Sequence, residues 1–510
     1  MLITQFIHEA AASKPQEQAL FCNERSTTYA ELKNNVAKIS GGLKTLGVTQ
    51  QDTVAVLALN SDKFAQTVFA TWWLGASINP VNIRWSPVEI IYSLNDCGIK
   101  TLFIDENFFP LLDTIRSQCP NIKNIIHMGE TGKENTPAGL IYFDEWLQQS
   151  TPIEDSKATG NQLAAIMYTG GTTGKSKGVM LSFDNMVSNA LAAMKMAEYK
   201  SEGTGLLVAP LFHVGGLGLL IQLTLRQMPI VMHKMFVPLD VLKAIERFKI
   251  TQVFLVPTMV QFLLDDPHFD EYDLSSLQYL IYAAAAMDGT LLRRAMRALP
   301  KAQFVQVYGM TELSPIVTVL KGSDHLTEAK LRSVGRPTEQ VEVKIVDPNG
   351  NVLGVNQVGE IVVRGSNVMQ GYLHKPEETA KAVVDGWMHT GDGGYLDSDN
   401  YLYIADRIKD MIISGGENIY STEVESAILT YPDVQMCAVI GIPDDKWGET
   451  VHAVIVPHPD TEINTQKLSD HCREHIAGYK IPRSFEFRQS LPLSAAGKIL
   501  KNELRAAYKK

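Results

Sequence analysis

The sequence is poor in features that mark several large classes of protein. Its five cysteines are scattered, odd in number and without CxxC spacing, which argues against a disulfide framework and a zinc site. Positive charge is scarce, because 46 Lys and Arg stand against 56 Asp and Glu and give a net charge of −10. A nucleic-acid partner is therefore not expected, since phosphate backbones require a concentrated basic surface.

Long hydrophobic runs are also missing. The most apolar stretch, 214–225, is interrupted by Gln222 and Thr224, and it is shorter than the about 20 residues that cross a bilayer. It is predicted to be a buried core helix. Residues 1–8 have neither the basic nor the apolar segment of a signal peptide. These features predict a soluble, cytoplasmic protein.

The chain alternates between strand-like and helix-like segments over most of its length. Its 510 residues predict two to four structural units. Short β-branched runs lie at 54–57, 101–104, 206–208, 253–255 and 304–307, and helical periodicity occurs at 63–74 and 239–248. This alternation is typical of layered α/β folds in which helices cover the sheets.

The pattern changes twice towards the C-terminus. From about residue 334, the strand-like runs 341–346 and 359–363 flank a turn at 347–350 and predict a small antiparallel unit. After residue 406 the order of segments predicts a compact α+β module: helix 422–429, strands 436–440 and 452–456, and helix 466–475. We therefore predict an α/β N-terminal domain, 1–406, made of layered subdomains plus a small β unit, and a small α+β C-terminal domain, 407–510.

The segment 168–179, YTGGTTGKSKGV, is the sharpest chemical signal. It follows an apolar strand at 163–167, and its glycines allow a tight bend that presents N–H groups to an anion. Lys177 can neutralise phosphate charge. The loop's other candidate anion-binding residues are Thr169, Gly170, Gly171, Thr172, Thr173 and Gly174.

A P-loop is the main alternative for this segment, and the spacing argues against it. Three residues separate Gly170 from Gly174, whereas a P-loop has four. The segment is followed by a predicted strand, 179–181, and the next helix is predicted to begin only near Ser182. A P-loop needs a helix N-terminus at the phosphate.

The loop resembles the phosphate-binding signature of the adenylate-forming (acyl-CoA synthetase, AMP-binding) superfamily. It has Ser176 where the usual form has Pro. Further family signatures follow in order between about residues 28 and 498, and the segments 409–420 and 444–449 are most similar to bacterial fatty-acyl-CoA ligases. The resemblance implies ATP, Mg²⁺ and coenzyme A as cofactors and co-substrates.

The resemblance also implies a nucleotide site further along the chain. In 306–312, QVYGMTE, Tyr308 would stack on a purine, Thr311 would bond a phosphate oxygen and Glu312 would bind Mg²⁺. Asp392 would accept both ribose hydroxyls, and Arg407 would reach ribose or phosphate. Gln306, Val307 and Gly309 complete the implied set.

The C-terminal module resembles the mobile lid of the family. The resemblance places Lys409 at the pivot, and Gly415 and Gly416 along a tunnel for pantetheine. Lys498, in the segment PLSAAGK, would bridge the acid and the α-phosphate during adenylation. Thr169, Lys177, Glu312, His213 and Lys498 are thus the candidate catalytic residues.

The acid is expected to be apolar. The segment 210–216, PLFHVGG, borders the acyl pocket in the family and has no Asp to hold an amino-acid ammonium. His213 is interpreted as an aromatic wall or gate, with a packed core histidine as the alternative. The segment 283–287 departs from the family's Gly-Ala-Ala-Pro-Leu type, which puts the acid specificity in doubt. The remaining candidate lining is Phe212, Val214, Leu217, Leu219, Leu220, Val307 and Met310.

Because each buried CH₂ stabilises by roughly 0.8 kcal/mol, this lining predicts a medium- or long-chain fatty acid. An aryl acid such as a cinnamate or benzoate is the alternative. Coenzyme A is the simplest acceptor, with a free carrier protein or release of the acyl-adenylate left open. A catalytically silent nucleotide-binding protein on the same fold is the rival from another class.

The sequence leaves two further partners open, an anionic lipid surface and a second copy of this chain. The segment 291–301 places Arg293 and Arg297 at helical i,i+4 spacing, which suits a weak peripheral contact with anionic lipid. An ordinary solvated helix face is the competing interpretation. The oligomeric state, including a homodimer, is not determined by the sequence.

Overall fold

The computed structural model describes residues 2–169, 176–200, 202–285, 287–407, 410–415, 417–444, 446–494 and 497–508, without the side chains of Arg407 and Asn418. Within these residues the α-helices are α1 Gln5–Ser13, α2 Tyr29–Thr45, α3 Asp62–Leu74, α4 Pro87–Asp96, α5 Leu112–Gln118, α6 Phe143–Gln149, α7 Phe183–Met196, α8 Val214–Leu225, α9 Pro238–Phe248, α10 Pro257–Leu264, α11 Gly289–Ala298, α12 Pro376–Ala382, α13 Ser421–Leu429, α14 Thr465–His475 and α15 Lys501–Ala506.

The strands are β1 Gln18–Cys22, β2 Arg25–Thr28, β3 Thr53–Leu57, β4 Ser77–Pro80, β5 Thr101–Ile104, β6 Asn124–His127, β7 Ile141–Tyr142, β8 Leu163–Thr169, β9 Lys177–Ser182, β10 Thr204–Leu207, β11 Ile230–Met232, β12 Ile250–Leu255, β13 Tyr279–Tyr282, β14 Gln303–Gly309, β15 Ile316–Leu320, β16 Arg336–Pro337, β17 Val341–Val346, β18 Gly359–Gly365, β19 Gly371–Tyr372, β20 Val383–Val384, β21 Trp387–Leu396, β22 Leu402–Arg407, β23 Ile412–Ser414, β24 Glu417–Ile419, β25 Val434–Asp444, β26 Gly448–Pro457 and β27 Ser484–Phe487.

The strands form four sheets. A nine-stranded sheet has the order β16-β15-β14-β13-β12-β10-β11-β1-β2, and an eight-stranded sheet has the order β19-β9-β8-β4-β3-β5-β6-β7. A five-stranded sheet, β17-β18-β21-β20 with β22 paired to β21, holds the small β unit. The fourth sheet, β24-β23-β26-β25 with β27 paired to β26, contains only strands that follow residue 411. The fold is a mixed α/β fold with a large N-terminal and a small C-terminal domain, as predicted.

Local sequence explains where several elements begin. The side chain of Thr28 accepts a hydrogen bond from the backbone N–H of Glu31, and Glu31 bonds back to Thr28, so a capping box starts α2. Ser86 and Glu89 start α4 in the same way. All residues of α3 are buried, which is the pattern of a helix enclosed by other layers.

The predicted elements are confirmed at most positions. The stretch 214–225 is α8, and the segments 63–74 and 239–248 lie in α3 and α9. The runs 341–346 and 359–363 pair antiparallel as β17 and β18. In the part of the chain that the structure describes, no helix combines the length and apolar character needed to cross a membrane.

The basic segment 291–301 is helical over its first part, as α11, but two of its arginines are engaged. Arg293 Nη1 lies 2.8 Å from Glu328 Oε1, and Arg294 Nη1 lies 2.5 Å from Asp265 Oδ1. These pairs reduce the charge that α11 presents to an anionic surface, so they favour the solvated-face interpretation.

Candidate active site

The phosphate-loop candidate connects two antiparallel strands. Thr169 at the end of β8 lies opposite Lys177 at the start of β9, and the predicted residues 170–174 between them lie outside the described part. Helix α7 begins only after Ser182, its N-cap. A strand, rather than a helix, thus follows the loop, so the rejection of a P-loop is confirmed.

Lys177 and Glu312 are brought together by a residue that the sequence analysis missed. The Tyr372 hydroxyl donates to Glu312 Oε1 at 2.9 Å, and Lys177 Nζ lies 4.8 Å from the centre of the Tyr372 ring. Lys177 also pairs with Glu378 at 2.6 Å. Burial, and then the charge of Glu312, raise the pKa of Tyr372, so its phenol stays protonated and remains a donor.

The sequence carries only a faint signal for Tyr372. It belongs to β19, a strand of two residues that pairs with β9 so that Tyr372 lies opposite Val179. A strand this short has no period to detect. Glu378, at the start of α12, lies in an ordinary charged helix turn, and nothing in its pattern distinguishes it.

A second hydrogen-bonded pair, Tyr308 and Asp392, links the residues predicted to bind the nucleoside. Gln306, Val307, Tyr308 and Gly309 lie at the end of β14, with Thr311 and Glu312 in the turn that follows. The Tyr308 hydroxyl donates to Asp392 Oδ2 at 2.8 Å. Asp392 on β21 lies opposite Arg407 on β22, so all three predicted positions lie near one another in the backbone framework.

His213 is the N-cap of α8, and its Nδ1 accepts a hydrogen bond from the backbone N–H of Gly215 at 3.1 Å. Burial, together with the positive charge of Lys498, lowers the pKa of His213 to about 4. The ring is therefore neutral near pH 7, which suits a wall rather than a general acid. The influence of Lys498 also shows that this lysine lies close to the wall.

Lys498 reaches this region on a tight hairpin. Leu493 and Ile499 pair across it, and the backbone N–H of Lys498 donates to Ser494 Oγ at 3.0 Å. The hairpin contacts the N-terminal domain at Arg84, whose Nη1 donates to the Ser494 carbonyl at 3.2 Å.

Gly497 provides the second contact of the hairpin. Thr258 Oγ1 donates to the Gly497 carbonyl at 3.5 Å. Gly497 has φ +74°, and an added Cβ would lie 2.8 Å from Val256 Cγ2. Only glycine combines this backbone conformation with such a close approach, so Gly497 sets how near Lys498 comes to the site.

Gly415, predicted to line a tunnel for pantetheine, packs against Trp447 in this structure. Gly415 has φ +62°, and an added Cβ would lie 2.7 Å from Trp447 Cε3. Its backbone N–H donates to the Trp447 carbonyl at 2.8 Å. Gly415 therefore fits the structural role of a tight turn in this arrangement. Gly416 and Lys409 lie outside the described residues.

The candidate acyl wall is apolar. Phe212, Val214, Leu217, Leu219 and Leu220 are buried, and Val307 and Met310 are partly buried. Gly215 faces the ring of Phe254, whose Cε1 would lie 3.1 Å from an added Cβ. With His213 neutral, these described residues give an apolar acid no opposing charge.

The donor set fits a magnesium-bound nucleoside triphosphate. Two lysines, Lys177 and Lys498, match a polyanion, and the buried carboxylate of Glu312 is a hard oxygen ligand of the kind that Mg²⁺ prefers. Tyr308 and Asp392 supply an aromatic face and a hydroxyl acceptor for a nucleoside.

Comparison with known proteins agrees with this geometry. Residues 7–373 match the model of the AMP-binding enzyme family, and residues 423–498 match the AMP-binding enzyme C-terminal domain. The chain therefore belongs to the AMP-binding enzyme family. It is an acid–thiol ligase of the CoA-ligase type that uses ATP, Mg²⁺ and coenzyme A.

Its relatives span more than one class of acid. The chain is 37% identical to a feruloyl-CoA synthase from Amycolatopsis over 98% of this chain and 97% of that protein. It is 32% identical to the long-chain-fatty-acid–CoA ligase FadD13 of Mycobacterium tuberculosis over 98% and 97%. A solved anthranilate CoA ligase in complex with anthranoyl-AMP superimposes with a TM-score of 0.92 at 28% identity, covering 100% and 97% of the two chains.

Proposed function

We propose that Lys177, Lys498, Thr169, Glu312 and the loop 170–174 together perform the adenylation half-reaction. The acid's carboxylate attacks the α-phosphate of ATP, pyrophosphate leaves, and the two lysines stabilise the negative charge that accumulates. Positioning and electrostatics supply most of the catalysis in such phosphoryl chemistry. The observation that supports this assignment is the Lys177–Tyr372–Glu312 cluster, in which one tyrosine contacts both a cation and the carboxylate proposed to bind Mg²⁺.

Tyr308 and Asp392 would bind the nucleoside in this proposal. Tyr308 offers its ring face to the purine while its hydroxyl holds Asp392 in place. Asp392 then accepts from ribose hydroxyls. Gln306, Val307, Gly309, Thr311 and Arg407 complete the nucleotide site as predicted from the sequence.

The second half-reaction would use the C-terminal domain in a different orientation. We place the domain boundary at residues 406 and 407, where β22 of the third sheet ends and before β23 of the fourth sheet begins. Rotation near Lys409 would withdraw Lys498 and bring Gly415 and Gly416 to the acyl-adenylate. Coenzyme A then attacks the acyl carbonyl and AMP leaves.

For the acid, we favour an aryl acid of the hydroxycinnamate type. The supporting observation is that the relative named for feruloyl-CoA synthesis shares more identity with this chain than the fatty-acid ligase does. A medium- or long-chain fatty acid is the second candidate, supported by the apolar wall around α8.

The location we propose is the cytoplasm. All five cysteines are free thiols, which agrees with a reducing, cytoplasmic setting.

Pyrophosphate release from MgATP tests both levels of the proposal. The acids to compare are acetate, octanoate, palmitate, cinnamate and ferulate, each with and without coenzyme A. We expect ferulate or cinnamate to be fastest, and the fatty acids to exceed acetate because the wall rewards apolar surface. If octanoate or palmitate is fastest, the fatty-acid candidate replaces the aryl one. Best turnover of acetate would contradict the apolar wall, and no pyrophosphate with any of the five would place the acid outside both candidate classes.

A further inference from the structure

The last turn of α14 carries a cluster of three groups that bind metals in other proteins. One ligand atom from each of His471, Glu474 and His475 lies within 4.8 Å of the other two. The i,i+4 spacing of the histidines places them on one face of the helix, and their ring centroids are 4.7 Å apart. None of the three belongs to the nucleotide or acyl site described above.

His471 is held in a fixed orientation and tautomer. Its Nε2 lies 2.7 Å from Thr430 Oγ1, and Thr430 Oγ1 itself donates to the Ala427 carbonyl at 2.7 Å. Because a hydroxyl has one hydrogen, the Nε2–H of His471 must donate to Thr430, which leaves the lone pair on Nδ1. A hydrogen bond of this kind commonly orients histidines that bind metals.

The charges around the cluster favour binding of a cation. The nearby Arg473 is paired with Asp470 at 2.8 Å. The cluster also lies at the C-terminal end of α14, where the aligned peptide dipoles favour positive charge.

We propose that His471, Glu474 and His475 bind one divalent transition-metal ion, with Zn²⁺ as the representative, on the surface of the small domain. Two imidazoles and one carboxylate match the ligand preferences of Zn²⁺, Cu²⁺ and Ni²⁺. Mg²⁺ prefers oxygen ligands and retains its waters, so it is not expected to compete. Three protein ligands leave a fourth tetrahedral position for water.

Calorimetric titration of ZnCl₂ into the full chain tests this site. The protein must carry no polyhistidine tag, and the buffer should contain Mg²⁺ in excess so that the ATP-linked metal site does not contribute. We expect one equivalent of Zn²⁺ to bind. His475→Ala should weaken binding by about tenfold or more, since loss of even an orienting partner typically costs 10–100-fold. Glu474→Gln should weaken it less, and the control His458→Ala, in the same domain, should leave it unchanged.

Thermal unfolding gives an independent readout. An ion that binds only the folded state raises the unfolding midpoint, so Zn²⁺ should raise it in the wild type more than in His475→Ala. His475 is exposed and its replacement leaves the Thr430 hydrogen bond intact, which makes it the decisive variant. Equal zinc affinity in the wild type and His475→Ala, or no binding in either, would overturn the proposal.

Discussion

The two sides of the candidate active site are held in place by different means. On one side, Glu312 is fixed by Tyr372 and Asp392 by Tyr308, through hydrogen bonds of 2.9 and 2.8 Å between elements of the N-terminal domain. On the other side, Lys498 arrives on a hairpin of the C-terminal domain. In the described part of that hairpin, two backbone carbonyls accept hydrogen bonds from Arg84 and Thr258 of the larger domain, at 3.2 and 3.5 Å.

This difference separates what must be preorganised from what must be able to leave. Groups that face developing charge act best when they do not reorganise during the reaction. The pairs Tyr372–Glu312 and Tyr308–Asp392 form the interlocked side, in which a hydrogen bond holds each carboxylate in place. A group needed in one half-reaction only is better carried on an element that can move away. The hairpin that carries Lys498 is the detachable side in this sense. On the proposed mechanism, the first side stays in place through both half-reactions, whereas the second side acts in adenylation only.

The largest expected effect comes from removing Lys498. In the proposed mechanism its charge stabilises the oxygens that crowd around the α-phosphate, and loss of one charge-stabilising group typically costs on the order of 10²–10³ in rate. Lys498→Ala should therefore nearly abolish formation of acyl-adenylate from acid and ATP. It should still convert supplied acyl-adenylate to acyl-CoA, which a thioester assay measures separately.

Gly416→Leu is the converse variant. Its side chain is expected to obstruct pantetheine, so the adenylate should form while thioester formation stalls. If both variants slow both half-reactions equally, the division of labour between the two sides is wrong.

The helices were more predictable from the sequence than the order of the strands. Long periodic segments such as α3, α8 and α9 are determined by local hydrophobic patterning, and their type and extent were predictable. The order of the strands was not, because β1 pairs with β11 across about 200 residues of chain and pairing at that separation leaves no local pattern. Short elements such as β19 and α15 were missed for the related reason that they are too brief to show a period.

Site prediction had the same limits. Motifs identified Lys177, Glu312, Asp392 and Lys498, because each lies in a contiguous signature. Tyr372 acts through a contact with Glu312 across 60 residues, which no contiguous motif records.

The pH dependence of stability should reveal how closely His213 is enclosed between the two sides. Its pKa is about 4 in the folded protein against an ordinary value of 6.5 for histidine, so between these values the unfolded chain binds more protons. Stability therefore falls as the pH drops through this window, by about 2 kcal/mol between pH 7 and pH 5. Urea unfolding of His213→Asn, which keeps a capping side chain for α8, should show a loss smaller by about that amount. An unchanged loss would mean that His213 is not enclosed.

Tyr372→Phe tests the interlocked side with a smaller expected effect. The variant keeps the ring beside Lys177 and removes the hydroxyl that orients Glu312. A hydrogen bond to a charged group contributes about 1.5 kcal/mol or more, so the Mg²⁺ concentration for half-maximal ATP binding should rise about tenfold. Fluorescence titration of nucleotide binding against Mg²⁺ measures this without turnover.

A matched control for Tyr372→Phe exists in the same domain. The Tyr401 hydroxyl donates to Asp324 Oδ1 at 2.9 Å, and Lys330 Nζ lies 3.8 Å from the centre of the Tyr401 ring. Tyr401 thus has the same kind of partners outside the predicted site, and Tyr401→Phe should leave the Mg²⁺ dependence unchanged. Equal shifts in both variants would attribute the effect to stability rather than to Glu312.

The smallest expected effect concerns the detachable side. Arg84 donates one exposed hydrogen bond to the Ser494 carbonyl, and such a contact contributes only about 0.5 kcal/mol. Arg84→Ala should slow adenylation two- to threefold, because the hairpin that carries Lys498 docks less often, and should leave thioester formation from supplied acyl-adenylate unchanged. Arg116 offers the control, since its Nη2 donates to the Ala138 carbonyl at 2.6 Å, also exposed, within the N-terminal domain alone. Arg116→Ala should affect neither half-reaction. If Arg84→Ala also slows thioester formation, the hairpin contact is not specific to adenylation, and the contrast between the interlocked and detachable sides does not hold.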